Sequence, residues 1–203
     1  MRVASMNSRF LDACRRRPTD VRPVWFMRQA GRYLKPYRDI RAKHGILEIC
    51  KRPDLAATVT LQPVEILDVD AAIIFADLLL PVEPMGLKLK FVAGEGPHIE
   101  NPIETSTDID TLSISNTDEL GYVGESIQMV TKALNGSIPV IGFVGAPFTL
   151  ASYMKQRHSD SREVVWANPV QPGALQVSVP VRGIRSSFEI HRVLSQVERR
   201  TGR

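Results

Sequence analysis

Two arginines four residues apart stand in the densest polar stretch of the sequence, MRQAGRY at residues 27–33, directly after an apolar run. In an α/β architecture, residues just past the carboxyl end of a strand lie at the functional face. Guanidinium groups bind carboxylates and phosphates, often through paired hydrogen bonds. The spacing of Arg28 and Arg32 therefore favours an anion site, and Gly31 would let a ligand approach the backbone. Surface arginines paired with acids such as Asp39 are an equally good interpretation of the spacing alone.

A carboxylate, Asp77, ends the second apolar run, AAIIFA at residues 71–76, and three leucines follow it. An ionised carboxylate in such surroundings is costly unless hydrogen-bond donors or cations meet it. Its position just past a strand matches that of Arg28, so both side chains are expected to open into one pocket. An acid with two arginines suits a polyanionic ligand that also carries N–H donors. The alternatives are that Asp77 caps the next segment or pairs with a buried arginine.

A tyrosine, Tyr153, follows a third apolar run and the turn GAPFTLAS. It is expected on the first helical turn after a strand, where a tyrosine more often packs than binds a ligand. The histidines show no metal-ligand spacing with cysteines or acids, so no metal site is predicted; they are His44, His98, His158 and His191.

Three continuous apolar runs must position these residues: Val24–Met27, Ala71–Phe75 and Ile138–Val144. A continuous run, as opposed to an alternating one, is typical of a parallel strand covered by helices on both faces. Helical periodicity over residues 53–67 and 118–134 separates the runs, and strands that alternate with helices predict an α/β fold.

Several local signals accompany this pattern. Asp54 is available to cap the helix over 53–67, and Pro63 is expected to kink or interrupt it. Residues 86–97, GLKLKFV and GEGP around one alanine, predict a short strand and turn or half of a hairpin, with Gly94 and Gly96 as turn residues.

Composition indicates one soluble globular domain, with 43% hydrophobic and 24% charged residues in 203. The net charge of +4 is uneven: residues 1–154 hold 17 Lys and Arg against 18 Asp and Glu, and residues 155–203 hold nine against four. The second part lacks the strand–helix rhythm of the first. We expect it to be an atypical Arg-rich tail: a linker, a disordered basic extension, or peptide from a shifted reading frame.

The two cysteines, Cys14 and Cys50, form no CxxC pair, which favours buried or half-buried free thiols of a cytosolic protein. Residues 133–154 carry no charge, but glycines and prolines interrupt them, so no transmembrane segment is predicted.

Three segments resemble signature segments of the uroporphyrinogen decarboxylase family, in the same order and with similar separations. They are PVWFMRQAGRYLKPYRDIR at 23–41, LQPVEILDVDAAIIFADLLLPVEPMG at 61–86 and IGFVGAPFTLASYM at 141–154. MRQAGRYL is highly specific to that family, and the other two segments are weaker. The similarity runs from about residue 8 to residue 154.

The resemblance implies a (β/α)8 barrel, here an incomplete one of about three βα units over residues 1–154, followed by the irregular basic tail 155–203. It implies a carboxy-lyase of porphyrin and heme biosynthesis that converts uroporphyrinogen III to coproporphyrinogen III by removing four acetate carboxyl groups. No external cofactor is implied. The implied setting is a cytoplasmic homodimer with a tetrapyrrole substrate and no nucleic-acid or membrane partner.

The resemblance also implies roles for seven residues: Arg28, Gln29, Ala30, Gly31, Arg32, Asp77 and Tyr153. Asp77 would accept hydrogen bonds from the pyrrole N–H groups and stabilise a developing cation. Arg28 and Arg32 would bind substrate carboxylates, and Arg28 is also a candidate proton donor. The backbone from Gln29 to Gly31 would line the pocket, and Tyr153 would bond a substrate carboxylate.

Three alternatives stay open. In the first, the chain is a catalytically inactive, truncated remnant of the enzyme. In the second it is a cobalamin-type methyltransferase, which shares the barrel but calls for a zinc site of His and Cys. In the third the Arg-rich tail binds nucleic acid, although its arginines are spread thinly and lack interleaved aromatic residues.

Overall fold

A computed structural model describes residues 6–92, 94–113 and 117–155. These residues fall into two compact units. The first unit comprises the chain up to Asp77 together with Gly121–Phe143, and the second comprises Leu78–Leu120 and the chain from Val144 onward. Apart from Lys155, the predicted tail over 155–203 lies outside the described residues, so the division at residue 154 stays a prediction.

Seven helices and four strands are present in the described part of the chain. In order they are α1 (Met6–Cys14), α2 (Lys35–Arg41), α3 (Ile46–Lys51), α4 (Pro53–Leu67), β1 (Ala72–Ile73), β2 (Leu89–Val92), β3 (Gly96–Ile99), α5 (Ser106–Asp110), α6 (Gly121–Leu134), β4 (Val140–Ile141) and α7 (Pro147–Met154). Short 3-10 helices cover Leu80–Val82 and Thr117–Leu120. None of the described helices is long and apolar enough to cross a membrane.

A parallel strand pair, β1 and β4, forms the centre of the first unit. Ala72 is in register with Val140, and Ile73 with Ile141. Short strands therefore lie within the second and third predicted runs, but each is only two residues long, and Phe143 and Val144 at the end of the third run are exposed. Apolar side chains of α4 and α6 pack on this pair in one buried cluster: Ala57, Ala72, Ile74, Val130, Leu134 and Ile138. Helices packed on parallel strands are the α/β arrangement that the sequence predicts.

The longest helix, α4, begins and ends where the periodicity predicts. Pro53 occupies its first position, where the missing N–H costs nothing and the fixed φ suits a helix. The prediction that Asp54 caps the helix is wrong, because Arg52 is the N-cap residue and Asp54 lies in the first turn, paired with the Arg52 guanidinium at 2.7 Å. Pro63 lies buried inside the helix, which continues past it.

The first predicted strand, Val24–Met27, is not confirmed. The segment makes one backbone link to the entry of β1, from Asp70 N–H to the carbonyl oxygen of Val24 at 2.8 Å. The N–H of Phe26 is taken by the side-chain oxygen of Gln29, and not by a neighbouring strand. Val24, Phe26 and Met27 are exposed, whereas a strand covered on both faces would bury them.

The second unit contains the hairpin predicted from GLKLKFV and GEGP. Strands β2 and β3 are antiparallel, with Leu89 opposite Ile99 and Val92 opposite Gly96. Gly94 and Gly96 have φ of 88° and 90°, a conformation that glycine adopts without strain; Gly94 is a turn residue, as predicted, whereas Gly96 is the first residue of β3.

A clamp of three charged side chains ties α1 and the Val24 segment to the entry of β1. Arg9 donates to Asp20 from Nε and Nη2, both at 2.7 Å, and to Asp70 from Nη1 at 2.7 Å. The other carboxylate oxygen of Asp70 accepts the Val24 N–H at 2.7 Å. Asp70 is buried, whereas Asp20 is exposed, so the inner half of the clamp contributes most to stability.

Replacing Asp70 by alanine should lower the free energy of unfolding by about 1–3 kcal/mol, because the Val24 N–H loses its acceptor and the Arg9 guanidinium keeps only Asp20. Asp20→Ala, which removes the exposed half, should change it far less. Urea unfolding of the two variants measures the difference. Equal losses would show that burial does not distinguish the two bonds.

The cysteines have different environments. Cys50 is buried, as predicted, and burial together with the Asp77 charge raises the pKa of its thiol to about 12. Cys14 is exposed, so the prediction of a buried or half-buried thiol is wrong for it. It is the last residue of α1, and the exposed arginines 15–17 follow it, so no packed layer covers the helix end.

Iodoacetamide at pH 8 should therefore label Cys14 in the folded protein and leave Cys50 unlabelled until the chain is unfolded in urea. Mass spectrometry of tryptic peptides reports each site separately. Labelling of Cys50 at a rate similar to that of Cys14 would contradict its burial.

Candidate functional site

The arginine turn, residues 26–34, has a buried side and an exposed side. Gln29 is 0% exposed, and its side-chain oxygen accepts the Phe26 N–H at 3.1 Å. The Tyr33 hydroxyl donates to the carbonyl oxygen of Gln29. Both arginines of the turn, Arg28 and Arg32, are exposed. Gln29 therefore anchors the turn from within and leaves two guanidinium groups accessible to an anion.

Glycine at position 31 leaves room for the exposed ring of Tyr33. A Cβ atom there would lie 2.7 Å from Cε1 and 2.9 Å from Cδ1 of the Tyr33 ring. The space beside Gly31 is thus occupied by Tyr33, and this contact supplements the ligand approach that the sequence suggested.

Arg38 of α2 fixes the turn from its other end. Its Nη1 donates to the carbonyl oxygens of Arg32 at 2.8 Å and Tyr33 at 3.1 Å. Sequence reasoning missed this residue; its only signal is a third arginine one helical turn into α2. Asp39 pairs with Lys35 at 2.7 Å, which lowers the pKa of its carboxyl group.

The two arginines of the turn are therefore not neutralised by Asp39. In the part of the chain that the structure describes, no ion pair joins Arg28 or Arg32 to a carboxylate. The arrangement keeps both guanidinium groups available for an outside anion, and the alternative of a pairing with Asp39 does not occur.

The arginine turn and the end of β1 share one hydrophobic cluster, hereafter the shared cluster, built on Leu34, Tyr37, Ile49 and Val59. Ala30, from the turn, packs against it, and so does Phe75, two residues before Asp77. The Tyr37 and Phe75 rings lie 5.7 Å apart, tilted by 55°. The structure thus brings the segments that carry Arg28 and Asp77 around a common support.

Charges near the shared cluster act on its buried groups. Burial raises the pKa of Tyr37, while Arg41 and, more weakly, Arg32 oppose the shift. Asp77, which is half-buried, contributes after burial to the raised pKa of Cys50, and Arg41 opposes it there. A carboxylate with guanidinium groups near the same buried cluster can accept hydrogen bonds from N–H donors while the cations bind acidic groups.

Tyr153 belongs to the second unit, where it is half-buried in the last turn of α7 and not in the predicted first turn. Helix α7 begins at Pro147, so Tyr153 lies nearly two turns further on. The end of the helix is held by the Ile103 N–H, which donates to the carbonyl oxygen of Met154 at 2.8 Å. Its membership of a site with Arg28 and Asp77 stays a prediction.

No group of three or more His, Cys, Asp or Glu side chains that could hold a metal ion occurs among residues 6–92, 94–113 and 117–155. His44, one of the four histidines, contacts Glu48 at 2.7 Å, one turn along α3.

Gln29→Leu should lower the free energy of unfolding by about 1–3 kcal/mol, because the part-buried hydrogen bond from the Phe26 N–H to the buried Gln29 side chain is lost. Arg32→Ala, a change on the exposed side of the same turn, should stay within about 0.5 kcal/mol of the parent chain. Thermal and urea unfolding test the contrast. A stability loss in Arg32→Ala as large as that in Gln29→Leu would refute the two-sided description of the turn.

Comparison with known proteins assigns this chain to a protein family. The family model for uroporphyrinogen decarboxylase (URO-D) matches residues 5–172. The uroporphyrinogen decarboxylase of Solibacter usitatus is 80% identical over 154 residues, which cover 76% of this chain and 45% of that protein. The one from Sorangium cellulosum is 52% identical over 176 residues, 84% of this chain and 50% of that protein.

A solved structure shows the same fold at low sequence identity. A methyltransferase from Methanosarcina mazei superposes with a TM-score of 0.63 at 16% identity, over 96% of this chain and 53% of that one. The chain spans about half the length of the curated relatives it matches. The family match and the structural match together confirm the predicted barrel class, although the described part of the chain has few strands. The chain therefore belongs to the uroporphyrinogen decarboxylase family and carries part of its α/β barrel.

Proposed function

We propose that this chain acts as a uroporphyrinogen decarboxylase, which removes four acetate carboxyl groups from uroporphyrinogen III to give coproporphyrinogen III. The observation that carries the proposal is the arginine turn and the Asp77 segment around the shared cluster, within a stretch 80% identical to a uroporphyrinogen decarboxylase. The substrate has acidic side chains and pyrrole N–H groups, which match two exposed guanidinium groups and a carboxylate.

The exposed arginines serve to bind and orient the substrate. Charge-assisted hydrogen bonds from a guanidinium to a carboxylate are each worth about 1.5–3 kcal/mol. Arg28 and Arg32 lie on one turn whose buried side is locked by Gln29, so the backbone that carries both is fixed before the substrate arrives. Preorganised positions of this kind lower the entropy that binding must overcome.

Asp77 accepts hydrogen bonds from the pyrrole N–H groups. Protonation of a pyrrole at its α-carbon makes the ring an electron sink; the bond to the acetate carboxylate then breaks, and its electron pair enters the ring as carbon dioxide leaves. A proton on the resulting methylene gives the methyl group, and loss of the α-proton restores the pyrrole. An ionised carboxylate beside the N–H groups stabilises the cation formed in the first step.

Arg28 is proposed as the proton donor as well as a carboxylate ligand. A guanidinium group keeps its proton strongly, so the N–H proton that Arg28 gives to the pyrrole α-carbon must be replaced from solvent in the same step. The backbone from Gln29 through Ala30 to Gly31 lines the pocket in this proposal, and Tyr153 bonds a substrate carboxylate. The reaction uses no external cofactor, and we place it in the cytoplasm in a homodimer.

The assay is conversion of uroporphyrinogen III by the purified 203-residue chain, followed by chromatography of the oxidised porphyrins. Asp77→Asn should lower kcat by about 10²–10³-fold, the usual loss when one electrostatic stabiliser is removed. Arg28→Ala should raise KM by about tenfold or more, since it removes a charge-assisted bond, and should also lower kcat, since it removes the proposed proton donor. Asp39→Asn, an exposed acid paired with Lys35, is the matched control and should leave turnover unchanged.

Normal turnover by both Asp77→Asn and Arg28→Ala would refute the site. An unsubstituted chain that binds a tetrapyrrole without turning it over would favour the inactive remnant instead.

A further inference from the structure

One buried hydroxyl links helix α4 to the chain just before Asp77. Thr60 is 0% exposed. Its Oγ1 donates to the carbonyl oxygen of Ala56 at 2.7 Å and accepts the N–H of Phe75 at 2.8 Å. The hydroxyl therefore has a fixed donor and a fixed acceptor role at the same time.

The geometry of the helix explains why this hydroxyl is oriented. A threonine inside a helix commonly donates to the carbonyl four residues earlier, which fixes its rotamer and turns its lone pairs outward. In Thr60 that bond goes to Ala56, and the outward lone pair meets Phe75. Thr58 makes the same kind of bond, to Asp54 at 2.8 Å, but lies on the exposed side of α4.

The bond lies where β1 stops being held by its neighbouring strand. The last backbone link between the two strands runs from Ile74 N–H to Ile141 at 3.0 Å. The next N–H, that of Phe75, donates to Thr60 of α4 instead, and the Phe75 ring packs into the shared cluster. Asp77 follows two residues later, so its starting point is set by Thr60 and the cluster together.

We propose that Thr60 is a positioning residue for Asp77: it holds the end of β1 against α4 and so fixes where the carboxylate stands. The inference rests on the proposed function for its catalytic consequence only. A displacement of about 1 Å in a catalytic group can cost on the order of 10²-fold in rate. Loss of the bond should therefore lower kcat more than it weakens substrate binding by the arginine turn.

The test compares Thr60→Val, Thr60→Ser and Thr58→Val in the full 203-residue chain. Thr60→Val keeps the shape and removes both bonds, Thr60→Ser keeps the hydroxyl, and Thr58→Val removes an equivalent bond on the exposed side. Three readouts are taken: hydrogen exchange of the Phe75 amide, the NMR resonance of the Asp77 carboxyl carbon, and kcat with KM for uroporphyrinogen III.

Thr60→Val should expose the Phe75 amide to exchange, shift the Asp77 carboxyl resonance, and lower kcat by about tenfold or more with KM changed less than about twofold. Thr60→Ser and Thr58→Val should match the parent chain in all three. An unchanged Asp77 resonance after loss of Phe75 protection overturns the proposal, and so does a kcat loss in Thr58→Val equal to that in Thr60→Val.

Two further outcomes are also decisive. If the parent chain shows no turnover, the proposed function fails, while the Asp77 resonance still decides the positioning role. If Thr60→Val does not fold, Thr60→Cys replaces it, because the thiol has a similar volume and is a weak acceptor. Thr60→Cys should then show faster Phe75 exchange and a shifted Asp77 resonance, and a chain that shows neither overturns the inference.

Discussion

Burial of the shared cluster is the constraint on which the candidate site depends. The cluster joins three parts of the first unit that are distant in sequence: the arginine turn through Ala30, helix α4 through Val59, and the end of β1 through Phe75. Burial of an aliphatic or aromatic side chain contributes about 1.5–3 kcal/mol, so a few such contacts can hold the turn and the strand end in place. The segments that carry Arg28 and Asp77 are attached to this apolar support.

Three buried side-chain oxygens complete the support. Asp70 accepts the N–H of Val24, Gln29 that of Phe26, and Thr60 that of Phe75. In each case a backbone donor near the β1 pair is satisfied by a side chain where a regular sheet would use a neighbouring strand. This explains why the strands are short while the backbone around them is still hydrogen-bonded. It also makes the chain conformation near Arg28 and Asp77 depend on particular residues.

The sequence predicted those features whose cause is local. Helix α4 follows from periodic apolar residues behind a proline, and the β2–β3 hairpin follows from two glycines with positive φ. The candidate arginines and Asp77 were also recognisable, because polar residues after apolar runs mark strand ends. Asp77 and the arginine turn were predicted to open together, and the structure shows a common support beneath them.

The sequence failed mainly where a side chain, near or distant in the sequence, takes a backbone hydrogen bond that a neighbouring strand would otherwise make. The Val24–Met27 run has the composition of a buried strand, but a glutamine three residues away takes its N–H. Thr60 and Asp70 look like ordinary helix and loop residues, since their partners lie 15 and 46 residues away. Tyr153 was placed one turn too early in its helix, although Pro147 at the first helical position is a local start signal.

A crystal structure of the 203-residue chain with coproporphyrinogen III would test the site most directly. We expect the pyrrole N–H groups within hydrogen-bond distance of the Asp77 carboxylate and at least one product carboxylate on Arg28 or Arg32. A product bound elsewhere, with Asp77 and both arginines uncontacted, would contradict the assignment of these residues to a tetrapyrrole site.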